Sequence, residues 1–134
     1  MDPAAIVKYQ AVEGFRRGNG VLTRLLVGKA NATSTIFTSG TTVFPAGASA
    51  PMHSHNCSEQ VTILEGQAEC VVDGTSTVLG PYDTTFIPAE KPHRFVNIGK
   101  GDLTILWIYG AREVTRTFTD TGETVAHLAD GDQV

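Results

Sequence analysis

The chain has 134 residues, 41% hydrophobic and 18% charged, with a formal net charge of −4 and a pI near 5.4. That length supports one packed core, and that balance excludes a disordered chain. The acidic charge argues against a nucleic-acid binder, which needs a basic stripe to neutralise phosphates, and no apolar run approaches the roughly 18 residues of a membrane span.

Residues 1–5 (Met-Asp-Pro-Ala-Ala) lack the basic and apolar regions of a signal peptide. Cys57 and Cys70 lie in no zinc or redox spacing. The expected location is therefore the cytoplasm, with both thiols free. Asp2 as a cap and Pro3 at the first helical position predict a short N-terminal helical turn over residues 4–9.

From residue 21 onward, short runs rich in Val, Ile, Thr and aromatics read as strands over 21–27, 35–44, 60–64, 68–72, 76–79, 84–87, 94–97, 103–109 and 114–118. Turn residues separate them: Asn19-Gly20, Glu65-Gly66, Asp73-Gly74, Gly80-Pro81 and Gly99 to Asp102. Asp73-Gly74 is the strongest hairpin signal, because a type I′ turn needs positive φ at both central residues. Many short strands without intervening helices predict an all-β sandwich, barrel or jelly roll. Alternation sends Ala68, Cys70 and Val72 inward and Glu69 to water. The acidic, turn-rich segment after Asp120 is expected to fray over its last five residues. Arg94, Arg112 and Arg116 read as solvent-facing charges at strand ends.

There are four histidines. His53 and His55 are two apart, so on a strand both imidazoles point to one face. Glu59 shares the parity of Val61 and Ile63, so its carboxylate points inward, which is costly unless it is paired or metal-bound. His93 follows a proline-flanked turn and opens a strand with Phe95 on its side. Three imidazoles and one carboxylate form a borderline nitrogen–oxygen set that suits Fe, Mn, Ni, Zn, Co or Cu as divalent ions. On spacing alone, ordinary polar strand residues remain the alternative.

The segment from Gly47 through His53, His55 and Glu59 to Gly66 resembles the first cupin motif at every signature position. Pro88, His93 and Asn97 keep the spacing of the second motif, but Tyr82 and Glu90 stand where its two glycines belong. The resemblance covers about residues 34–110. Since glycine is used there for positive φ, altered turn geometry is expected at Tyr82 and Glu90, with the ligand set intact.

The resemblance implies a double-stranded β-helix (jelly-roll) barrel in a single domain spanning 1–134. Its core would be about 21–118, with extensions at 1–20 and 119–134. It also implies a metal site on His53, His55, Glu59 and His93, and a homodimer. The pocket beside the metal would be lined by candidates Met52, Phe86, Phe95, Trp107 and Tyr109. Tyr82, Tyr109 and His127 are candidate acids or bases, and Cys57 is a remote candidate ligand. The expected function is a mononuclear divalent-metal-binding protein, and an enzyme acting on a small oxygenated metabolite by dioxygenase, isomerase or decarboxylase-type chemistry. A non-catalytic module for metal or small ligands is the alternative, since fold does not fix function.

Overall fold

The computed structural model describes residues 3–134. Twelve strands follow one 3-10 turn: β1 (Phe15–Arg16), β2 (Leu22–Val27), β3 (Thr38–Phe44), β4 (His53–His55), β5 (Glu59–Glu65), β6 (Ala68–Val72), β7 (Thr75–Leu79), β8 (Thr84–Ile87), β9 (His93–Asn97), β10 (Leu103–Tyr109), β11 (Thr115–Phe118) and β12 (Thr124–Ala126). They form two six-stranded antiparallel sheets, in the orders β1-β2-β3-β10-β5-β8 and β12-β11-β4-β9-β6-β7. The strand pattern anticipated an all-β sandwich, barrel or jelly roll, and the two sheets form the jelly roll that the resemblance implies. The helical turn is there as well, but at Tyr9–Ala11 rather than over residues 4–9. Its expected cap, Asp2, lies outside the described residues. Among the described residues no helix is long and apolar enough to cross a membrane.

Period-two alternation builds the core. In β10, Leu103, Ile105, Trp107 and Tyr109 are buried on one face, opposite inward Val61 and Ile63 of β5. Burial of each such large apolar side chain contributes roughly 1.5–3 kcal/mol. Trp107 sets a close approach: its Cα partner on β3 is Gly40, where an added Cβ would clash with the indole ring and with the Arg24 carbonyl. The indole N–H donates to Thr42 Oγ1 at 2.9 Å, so the polar end of the ring is satisfied within the barrel. Ala68 and Cys70 face the core, and Glu69 accepts a bond from Ser76 outside it.

Three expectations are corrected. Tyr82 and Glu90 keep the turn geometry of the glycines they replace, with φ of 70° and 68°. The backbone demand of the two bends prevails over side-chain preference, and Glu90 N–H then donates to the His55 carbonyl at 2.8 Å. The C-terminal segment does not fray at its end. Asp132 has 0% exposure, and Val134 N–H donates to the Arg17 carbonyl. Arg116 is not a surface charge either, at 2% exposure. It shares the inward parity of Val114, and it pairs with buried Asp132.

Candidate metal centre

β4 is three residues long and carries His53 and His55 on its inner face. It pairs with β9 so that His53 and His93 are Cα partners, while β5 in the facing sheet brings Glu59 inward. All four side chains are buried. The imidazole centroids lie 4.5, 4.9 and 5.4 Å apart, and the ligand atoms of the three histidines fall within 4.8 Å of one another.

Each imidazole is oriented by the backbone. His53, His55 and His93 place Nδ1 at 2.6, 3.0 and 2.9 Å from the carbonyl oxygens of Pro51, Thr115 and Lys91. A carbonyl oxygen only accepts, so Nδ1 carries the proton in all three rings and Nε2 is left with its lone pair. This is how proteins fix imidazole tautomers at metal sites. One contact then becomes diagnostic. His93 Nε2 lies 3.0 Å from Glu59 Oε1. With Nδ1–H given to Lys91, a neutral His93 would set a lone pair against a carboxylate. A proton or a metal cation between the two resolves that contact, so the residues present fit a divalent metal.

Burial disfavours the charged form of His53 and His55, while the acid is held in its ionised form. Burial, followed by the charges of neighbouring histidines, holds His53 well below the usual imidazole range. Burial also lowers His55, against the opposing pull of Glu59. For Glu59, burial pushes upward, but the His93 hydrogen bond and the charges of His55 and His93 prevail, and its pKa falls. Tyr109 Oη stands 3.4 Å from His55 Nε2. Burial, then the Glu59 charge, raises its pKa well above the ordinary phenol value, so it remains a neutral phenol.

The cavity beside these groups has a volume of about 40 Å³ and is partly open. Phe95, Trp107 and Tyr109 line it together with the histidines and Glu59. Two of the proposed lining residues do not. Phe86 is 72% exposed, because its Cα partner is outward-facing Gln60, whereas its neighbour Ile87 opposes Glu59 and points in. Met52 precedes His53 and so has the opposite parity; it is only half-buried and lies off the lining. Tyr82 is 80% exposed and reaches no inner group. His127 sits behind the site, edge-on to Trp107 and Tyr109 at 5.0 Å, and burial pulls its pKa down to about 3. Cys57 is a buried free thiol, pushed up to about 11 by burial and then by Glu59; it is not part of the histidine cluster.

The residue reading missed Arg17 and misread Arg116. Both line the cavity, and both bind Asp132 Oδ1, at 2.6 and 2.7 Å. Register carried the signal for Arg116, whose Cα partner on β4 is His55.

The cupin-domain family model matches residues 40–109, just over half of the chain and all four of these residues. An uncharacterized protein of Methanocaldococcus jannaschii is 35% identical over 65 residues, which are 48% of this chain and 52% of that protein. The chain thus spans about half the length of that relative. Among solved structures, the polyketide cyclase RemF of Streptomyces resistomycificus is similar at a TM-score of 0.73 and 20% identity, over 97% of this chain and 89% of its own. A sugar phosphate isomerase of the cupin superfamily from Silicibacter pomeroyi is similar at 0.72 and 19%, over 96% of each chain. At such identities the likeness speaks for the fold. With the two-sheet barrel, the motif residues inside it and the matching family model, the chain belongs to the cupin family.

Proposed function

We propose that the chain binds one divalent transition-metal ion on His53, His55, Glu59 and His93 and acts there on a small oxygenated molecule. The observation that carries this reading is the burial of three backbone-oriented imidazoles, their ligand atoms within 4.8 Å of one another, with the Glu59 carboxylate 3.0 Å from His93 Nε2. When bound, the metal would supply Lewis acidity toward a ligand oxygen, or redox chemistry if it is iron or copper. The chain's own residues do the rest. The carbonyls of Pro51, Thr115 and Lys91 hold the rings in place. Phe95 and Trp107 give the cavity apolar walls. Tyr109, kept protonated, offers an O–H beside His55.

The non-catalytic alternative draws support from the cavity's content. Apart from the ligand set, Tyr109 is its one candidate for proton transfer among the described lining residues. We further propose a homodimer, supported by exposed apolar side chains such as Ile36 and Val78. A cytoplasmic location fits the two free cysteines.

Cobalt(II) substitution tests the site directly. Visible d–d absorption should saturate at one equivalent and vanish in His53→Ala. A spectrum identical to the aqueous ion at every ratio would refute it.

A further inference from the structure

The sheet of order β1-β2-β3-β10-β5-β8 turns one face to the cavity. Its opposite face lacks the charged exterior usual for a half-solvated antiparallel sheet. Parity opposite to Trp107 and Tyr109 sends Leu106 and Ile108 of β10 outward. Register sets Ile108 beside Gln60 of β5, and Gln60 beside Phe86 of β8. Leu22 and Val43 are Cα partners on the far side of β10. Phe86 is 72% exposed, and Leu64, on β5, is exposed as well. The other outward positions of β3, β10 and β8, and of β5 before Glu65, are Ser, Thr or Gln. Arg24 of β2 is the one charge within the face, and the Tyr9 ring lies against its guanidinium at 5.4 Å. Glu65, ending β5, and Arg16, on the edge strand β1, stand at the rim. Tyr9 also shares a 2.9 Å hydrogen bond with Thr41, which lays the N-terminal segment over one corner. Exposed Ile36 and Phe37 lead into β3 at another.

We propose that a second copy of this chain docks on this face, in an isologous interface about a two-fold axis. The inference rests on the homodimer proposed above and assigns the surface that forms it. An isologous contact sets a patch against its own image, so a patch rich in one charge would repel itself. This face meets that condition, with one shielded charge inside it and rim charges of both signs. An apolar centre depleted of charge is also the composition of an interface core. The area suffices. Five strands about 4.8 Å apart, the longest of seven residues, project to roughly 500 Å². Side-chain relief, with Tyr9, Ile36 and Phe37 around the margin, brings this toward the ~800 Å² per partner of a standard interface. Glu59 and Tyr109 point inward from β5 and β10, so the partner backs the wall that carries them.

Sedimentation equilibrium of the tag-free protein, as purified, reads the association constant. The parent should sediment at twice the chain mass. Ile108→Glu, at the centre of the face, should weaken association about a hundredfold, because the two-fold axis repeats each substitution. Phe86→Glu, nearer the edge, should weaken it about tenfold. Ile98→Glu, at an exposed position beyond β9 in the other sheet, should leave it unchanged. A folded Ile108→Glu that associates like the parent would overturn the proposed surface and leave the homodimer standing. A parent that stays monomeric at every concentration would refute both. Hydroxyl-radical labelling of the parent decides the matter even if Ile108→Glu fails to fold. Phe86 and Leu64 should be labelled less where the dimer dominates than after dilution to the monomer, and equal labelling would contradict the proposal.

Discussion

Replacing Asp132 by asparagine removes the carboxylate that two buried arginines share. Asp132 has 0% exposure and lies 2.6 Å from Arg17 Nη2 and 2.7 Å from Arg116 Nη1, and its Oδ2 accepts the Leu128 N–H. Breaking a buried ion pair from one side costs about 3–5 kcal/mol, because the remaining charge is left without compensation. Asparagine keeps one carbonyl acceptor, so about 3 kcal/mol is expected, or roughly 10 °C in Tm for a chain of this length. The pH dependence gives a second signature. Burial raises the Asp132 pKa, but the Arg17 charge, the Leu128 N–H and Arg116 outweigh it, and the folded value lies below normal. A depressed folded pKa means stability that is present above the unfolded value, near 4, and lost as pH falls through the folded value. The gap between the parent and Asp132→Asn should therefore be constant from about pH 5 to 8 and close only below about pH 4. Thermal and urea unfolding of chelator-treated protein measure both, with exposed Asp130→Asn as a control expected within about 0.5 kcal/mol of the parent. A Tm loss of under about 2 °C in Asp132→Asn would refute the shared-carboxylate account.

Two further perturbations probe the frame. Tyr82→Gly and Glu90→Gly relieve left-handed backbone at φ of 70° and 68°. The strain of about 1–2 kcal/mol exceeds glycine's extra unfolded entropy, so each should gain about 0.5 kcal/mol in urea unfolding; a loss of that size would count against the turn assignment. His127, held neutral to about pH 3 by burial, penalises the folded state as pH falls from about 6.5 toward 3, because only the unfolded chain takes up the proton. Removing it in His127→Phe should flatten the fall in stability by up to about 1.4 kcal/mol per pH unit between pH 6 and 4. An unchanged slope would place His127 in water.

Much of the barrel was readable because strand burial has a period of two and the turns carry glycine, proline or Asp-Gly. The segments at 68–72, 84–87 and 103–109 match β6, β8 and β10 residue for residue. Strands β1 and β12 were invisible, since two or three residues hold no period. The inward direction of Glu59 was legible from Val61 and Ile63, and the same parity argument, applied to Ile87, would have sent Phe86 outward. Parity with Val114 also marked Arg116 as inward, but an arginine between two threonines reads as surface until its counter-charge is known. That counter-charge, Asp132, sits in a stretch without pattern, and its burial depends on Arg17, far away in the chain. Long-range charge pairing leaves no local trace in sequence.

The central claim is that four inward side chains hold one metal ion. Elemental analysis of tag-free protein, purified without chelator or added metal, tests it beside Glu59→Ala and His93→Ala. The account predicts about one equivalent of a transition metal in the parent and its loss in both variants. Parent protein that stays metal-free after incubation with iron, zinc, nickel and manganese would contradict it.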